Sequence, residues 1–257
     1  MEIIDIGVNL MSSQFHDRDK IVLEAKEAGV GMIITGSDLI SSKEAADYVK
    51  DKKGIYATAG IHPHDAKDCD EHTLHYLAEI HKQYNVVAVG ECGLDYNRMY
   101  SPKDIQLEVF EKQIILAESL NKPLFLHERD ASKDMVSLLR KYPEAAQRAV
   151  IHCFTGTKEE AVKYLACGCM IGITGWVMDK RRNLELLEAL EVIPVDRLMV
   201  ETDAPYLLPR GIKGLKSPNH PKNIHYIIDA LAKVKKYDIV VIKEILYKNT
   251  IQFFSLR

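Results

Sequence analysis

The strongest constraint on the fold is a rhythm: short apolar, β-branched runs alternate with amphipathic helical stretches along the whole sequence. The strand candidates are Ile3–Gly7, Met32–Thr35, Ile55–Ala59, Val86–Gly90, Leu124–His127, Ala149–His152, Met170–Ile173 and Arg197–Glu201. Runs this short, bounded by Gly, Pro and polar clusters, suit strands buried on both faces, as in a parallel sheet. Helical patterns lie between them at Asp17–Ala28, Lys43–Asp51, Asp104–Leu120, Ala131–Lys141 and Glu159–Cys167, and Lys243–Phe254 reads as a terminal helix. Strands recur roughly every 25 to 30 residues, the size of a βα unit. That favours an α/β fold of the closed (β/α)₈ TIM-barrel kind over an open doubly wound sheet. No Ser/Gly linker, low-complexity tract or solenoid-period repeat divides the 257 residues, so a single domain over 1–257 is expected.

Composition narrows the setting. The five cysteines (Cys69, Cys92, Cys153, Cys167, Cys169) are odd in number and form no CxxC pair, which points to reduced core thiols rather than disulfides or a zinc ribbon. The opening Met1–Leu10 lacks a basic start, and no apolar run approaches the roughly 18 residues of a membrane span. A cytoplasmic protein with no membrane partner is the expectation. The formal charge of −3 does not favour a nucleic-acid partner, so a phosphate ligand would need a local metal or basic rim.

In a βα barrel the loops after the strands form one mouth, which turns scattered polar residues into a spatial expectation. His62 and His64 follow the third strand, Glu91 closes the fourth, His127 the fifth, His152 the sixth and Asp203 the eighth. A lone strand-end His is more often a hydrogen-bonded structural residue, and a lone Asp often caps the next helix. Together, Glu91, His127, His152 and Asp203 at four strand ends would converge on a single ion. Imidazole and carboxylate ligands without thiolate suit Zn²⁺, Mn²⁺ or Mg²⁺. Cys92 and Cys153 neighbour proposed ligands, but strand alternation turns them toward the helices as packing residues. Around the mouth, Arg98, Lys180, Arg181, Arg182, Arg210, Lys213 and Lys216 offer charge for phosphates, and Tyr96, Trp176 and Tyr206 offer rings for bases. Each is equally readable as solvated loop or lid packing.

The segments Gly60–Asp65, Gly90–Tyr96, His127–Ala131, His152–Gly156 and Glu201–Pro209, in that order, resemble the TatD family of metal-dependent deoxyribonucleases, and Asp5–Leu10 and Ile171–Trp176 add to the likeness. The resemblance implies a barrel of the amidohydrolase type and a hydrolase of phosphodiester bonds, supported by Mg²⁺ or Mn²⁺ with Zn²⁺ as a third option. The implied activity is 3′–5′ exonuclease cleavage of single-stranded DNA, or RNA; a monomer is the separate expectation for the chain. By motif position Glu91, His127 and His152 match metal ligands, and Asp203 matches the last ligand or general base. His62 and His64 match the motif beside the scissile phosphate, and Arg129 and Asn9 are assigned to substrate binding with them. Two departures stand out: Gly7 and Asn9 occupy the positions of a first-strand His-x-His pair, which leaves one or two ions open, and Asn219-His220-Pro221 replaces Asn-Glu-Pro.

The implied chemistry is a metal-activated water attacking phosphorus, with Asp203 taking its proton and Glu91 able to bridge two ions. His62 or His64 would donate to the phosphate or leaving oxygen. The alternatives are a small-molecule ester, amide or phosphotriester hydrolase, a barrel that only binds metal or nucleic acid, and an esterase of mischarged tRNA, because the fold hosts many chemistries.

Overall fold

The computed structural model describes residues 2–256. Its strands are β1 (Ile3–Val8), β2 (Val30–Ile34), β3 (Ile55–Ala59), β4 (Val86–Asp95), β5 (Leu124–Arg129), β6 (Ala149–Ile151), β7 (Met170–Ile173) and β8 (Leu198–Val200), hydrogen-bonded in the order β1 to β8. Every residue of β1 to β4 and of β6 to β8 is buried, which is why these runs carry no polar alternation: helices cover one face and side chains fill the other. Just past β8, Ala204 bridges Val8 in parallel, and Asn9 N donates to the Ala204 carbonyl at 2.7 Å. Parallel order with a return contact to the first strand is the (β/α)₈ arrangement expected from the sequence.

The chain packs as two compact units. One comprises the segment ending at Ile34, residues 153–165 and the segment from Met170 onward, and holds β1, β2, β7 and β8; the other is Thr35–His152 with Ala166–Cys169, and holds β3 to β6. In the second unit Ala46, Ala59, Ile61, Ala66, Leu77, Val86 and Val109 form a buried apolar cluster under the helices that cover β3 and β4. Helix starts are set by local chemistry. Asp38 and Asp70 each accept from a backbone N–H three residues on, in reciprocal capping boxes with Ser41 and Thr73. The helix Lys103–Leu120 stops where Asn121 turns left-handed at φ 52°.

Several strand ends differ from the sequence reading: β1 runs to Val8, β2 spans Val30–Ile34, β6 stops at Ile151 and β8 spans Leu198–Val200, so His152 and Asp203 lie past their strands. Two further extensions shape the site. β4 does not stop at Gly90, and β5 does not stop at His127; they run on to Asp95 and Arg129, with a register shift between Val89 and Cys92. The glycines that look like terminators in Gly-Glu-Cys-Gly are spacers. A Cβ on Gly90 would stand 2.2 Å from the Phe125 carbonyl oxygen, and one on Gly93 2.0 Å from that of His127, with φ at 140° and 138°. Only glycine lets β4 lie this close to β5. Glu91 and His127 are therefore held inside strands, not at their ends, and Arg129 is the exposed last residue of β5 rather than a loop residue.

Candidate metal centre

In the unit built from β3 to β6, four imidazoles and two carboxylates meet. His62 follows β3; its N–H donates to Ser37 O at 2.7 Å and its Nδ1 accepts from His64 N at 3.1 Å, capping the turn Pro63–Asp68. That fixes the ring with Nε2 3.4 Å from Glu91 Oε1. The same oxygen lies 3.0 Å from His127 Nδ1 and 2.8 Å from His152 Nε2, so three rings converge on one carboxylate oxygen. His152 is placed by its N–H bond to Leu126 O at 2.9 Å, just beyond β6, and its ring packs on Phe125 at 4.6 Å between centroids.

Asp95, at the end of β4, organises the outer side. Its Oδ2 takes His64 Nε2 at 2.8 Å and His127 Nε2 at 3.3 Å, while Oδ1 accepts the backbone N–H groups of Asn97 and Arg98. His127 thus spans two carboxylates, and the carboxylate on Nε2 orients the ring and leaves Nδ1 to face Glu91.

The electrostatics follow from this geometry. Burial pushes Glu91 up, but the imidazoles of His152 and His62 and the bonds from His127 and His152 outweigh it and hold the carboxyl well below its ordinary range. Burial drives His62 down to about 4 against the pull of Glu91, so it is neutral near pH 7, the form that ligates metal. His127 moves the other way, because its bonds to Asp95 and Glu91 overcome its burial. Asp95 is held low by those imidazole bonds and the Arg98 amide despite its own desolvation.

One donor atom each from His62, Glu91 and His127 lie within 4.8 Å of one another, close enough to share an ion. Two imidazole nitrogens and one carboxylate oxygen fit a divalent cation of the Zn²⁺, Mn²⁺ or Mg²⁺ kind. The sequence reading put His62 on the substrate; the geometry brings it into the donor group, while His152 approaches Glu91 from beside it. His64 meets Asp95 instead.

The unit built from β1, β2, β7 and β8 holds the remaining residues. Asn9 Nδ2 donates to Asp203 Oδ1 at 2.8 Å, and Asp203, at φ 53°, begins the turn in which Tyr206 N donates to its carbonyl. A left-handed aspartate is uncommon, and such positions recur where a side chain must be aimed. Asp5 is buried, accepting from Gly7 N at 3.2 Å, Thr202 N at 2.9 Å and Thr202 Oγ1 at 2.5 Å. Burial outweighs these neutral donors and pushes its pKa well above the ordinary value. Buried Glu201 accepts Cys153 N at 2.5 Å.

Sequence reasoning passed over Asp95, although the signal was present: Glu91, Gly93 and Asp95 share one face of a strand by its period of two. Asp5 and Glu201 gave no separate signal inside apolar runs. Cys92 is a buried packing thiol as expected. Cys153 is not: it is half-buried, left-handed at φ 47° and 3.8 Å from Thr174 Oγ1. β6 ends at Ile151, so strand alternation does not extend to it. Tyr96 is tied down, its hydroxyl donating to Asp134 at 2.9 Å with Lys103 over the ring.

Comparison with known proteins gives a consistent result. The family model described as TatD related DNase matches residues 4–255. A protein of Escherichia coli (strain K12) named 3′-5′ ssDNA/RNA exonuclease TatD is 46% identical over 232 residues, 89% of each chain. Among solved structures, the TatD homolog YJJV from Escherichia coli K12 superposes with a TM-score of 0.91 at 24% identity, covering 100% of this chain and 99% of that one. A TatD family hydrolase from Entamoeba histolytica gives 0.86 at 28% identity, covering 98% and 97%. The chain has the (β/α)₈ fold of these structures.

Proposed function

Because this chain belongs to the TatD related DNase family, we propose that it is a metal-dependent 3′–5′ exonuclease hydrolysing phosphodiester bonds of single-stranded DNA or RNA, the activity named for its relatives. The observation that carries the reading is the convergence of His62, His127 and His152 on one oxygen of Glu91. Two buried imidazoles and a half-buried one gathered around a buried carboxylate are costly as mere structure, and they make a ready donor set for a cation. His62, Glu91 and His127 would hold the ion, with His152 beside them; Mg²⁺ or Mn²⁺ is the expected metal and Zn²⁺ the third. Such an ion supplies polarisation of a phosphoryl oxygen and a lowered pKa for water.

The protein's own groups do the rest. Asp203, turned by its Asn9 bond, takes the proton of the attacking water. Asp95 keeps His127 oriented and His64 in place to contact phosphate. With Gly7 on β1 and Asn9 just past its end, that stretch offers no imidazole, so a single principal ion is expected. The family match over nearly the whole length supports one catalytic domain.

The test is degradation of a 5′-labelled single-stranded oligonucleotide, metal-free and with Mg²⁺, Mn²⁺ or Zn²⁺, beside Glu91→Ala and Asp203→Asn. A metal-dependent ladder shortening from the 3′ end, lost in both variants, is expected. Intact oligonucleotide under every metal would overturn the reading in favour of a small-molecule hydrolase.

A further inference from the structure

The segments that follow β7 and β8 carry charge opposite to that of the chain as a whole. Residues 174–183 and 201–220 hold Lys180, Arg181, Arg182, Arg210, Lys213 and Lys216 against Asp179, Glu201 and Asp203, in a protein of formal charge −3. Asp179 and Glu201 are moreover buried. Asp179 ties the two segments together. Its Oδ1 accepts Arg181 Nε at 2.8 Å, its Oδ2 accepts Arg181 Nη2 at 2.6 Å, and Arg210 Nε stands 3.5 Å from that same Oδ2. Backbones meet there too: a Cβ on Gly175 would lie 3.0 Å from the Leu207 carbonyl oxygen.

Both arginine side chains stay open, at 60% and 62% exposure. A guanidinium has five N–H donors, so an edge spent on Asp179 leaves others for a second anion. In the turn Gly175–Met178, just before Asp179, sits half-buried Trp176, its backbone N–H on Thr174 Oγ1 at 3.3 Å, its carbonyl accepting Asp179 N at 3.0 Å and the Arg182 guanidinium 5.8 Å from its ring centroid. Solvated arginines need no buried carboxylate to orient them, and burying one costs desolvation.

We propose that Trp176, Arg181 and Arg210, positioned by Asp179, form a subsite for single-stranded nucleic acid, with the indole as a base-stacking platform and the guanidinium groups on flanking phosphates. The inference rests on the nuclease reading and adds where the strand lies. DNA and RNA are both accepted, because stacking and phosphate contact do not read the sugar.

The test combines oligothymidylate turnover by the Mn²⁺-loaded enzyme over a salt series, fluorescence anisotropy of the same labelled strand, and turnover of bis(p-nitrophenyl) phosphate, a diester with no flanking nucleotides to engage the subsite. Trp176→Ala should raise KM and Kd for the strand about tenfold, the weight of one stacked base. It should leave the small diester untouched, and Trp176→Phe should restore most of the loss. Arg181→Ala and Arg210→Ala should each flatten the logarithmic salt slope by about 0.7. Asp179→Asn is the sharpest variant: it makes the surface more positive, so a diffuse basic patch would bind more tightly, whereas an oriented clamp binds several-fold more weakly. Tighter binding by Asp179→Asn, or unchanged KM and salt slope in the Trp176 and Arg210 variants, overturns the subsite. Wild-type protein that shows this binding pattern but cleaves neither substrate would overturn the nuclease reading and leave the subsite standing.

Discussion

The half of the sheet made of β3 to β6 and the half made of β1, β2, β7 and β8 both bury carboxylates, but they satisfy them differently. Glu91 is met by three imidazole rings. Asp5 is met by two backbone amides and a hydroxyl. Both are buried, yet their pKa values move in opposite directions: Glu91 is held far below its ordinary range, while Asp5 is pushed far above it. Burial of an acid is therefore no mark of a metal site. The partner decides, because an imidazole can give up its proton and offer a lone pair to a cation, whereas an amide N–H has only a proton to give.

The largest test of that contrast is Glu91→Gln against Asp203→Asn. Glu91→Gln should lose turnover by about a thousandfold or more, on several kcal/mol of charge stabilisation, and should lose metal binding with it. Asp203→Asn should lose turnover comparably yet keep the metal, as read by calorimetric Mn²⁺ titration. Equal loss of metal in both variants would make Asp203 a ligand.

Next is Asp95→Asn. An amide nitrogen in place of Oδ2 turns a shared acceptor into a donor facing two imidazoles. Metal affinity should fall roughly 10- to 100-fold, the usual cost of losing the partner that orients a ligating His, measured by competition with a chromophoric chelator. Full affinity in Asp95→Asn would show that β5 alone aims His127.

A smaller effect concerns pH. Folding lowers His62 from 6.5 to about 4, so the folded protein binds that proton less tightly than the unfolded chain. Its contribution to stability is complete above the unfolded value and is lost as pH falls through the window down to about 4. The whole effect is at most about 3 kcal/mol. His127, raised in the folded state, slopes the other way. The readout is therefore the difference between wild type and His62→Gln in urea midpoints of metal-free protein, which should shrink toward low pH. Parallel curves would remove burial as the source of the His62 shift.

Asp5→Asn should do least. The folded state already favours a neutral group there, so thermal stability should stay within about 1 kcal/mol of wild type near neutrality. A raised carboxyl contributes stability that is present below its unfolded pKa and lost as pH rises, so the variant should gain on wild type toward higher pH in thermal melts. Severe destabilisation would mean that Asp5 carries a charge its neighbours require, and the contrast with Glu91 would fail.

Much of this was legible from residues alone. β3 and β7 were bounded to the residue, because apolar runs flanked by polar breaks announce themselves. Glu91, His127 and His152 were legible as a group because each interrupts or ends a run in which every other residue is apolar. The extensions of β4 and β5 were not, because Gly90 and Gly93 read as terminators unless the neighbouring strand is known to occupy the space of their missing side chains. Asp95 was lost with that extension. His62 looked like a loop residue of the phosphate motif, and only the cap it forms on its own turn aims Nε2 at Glu91.

By itself, then, the sequence determined the α/β order, the strand period, the family motifs and the residue types a cation would need, since periodicity and turn chemistry are local properties of the chain. The tertiary structure decided which of those residues share an oxygen, that Asp95 rather than a second metal ligand stands behind His127, and that Asp179 gathers arginines from two separate loops. Those facts depend on distances between residues far apart in the chain. Such distances are set by strand register and the close approach of backbones, which no local pattern encodes.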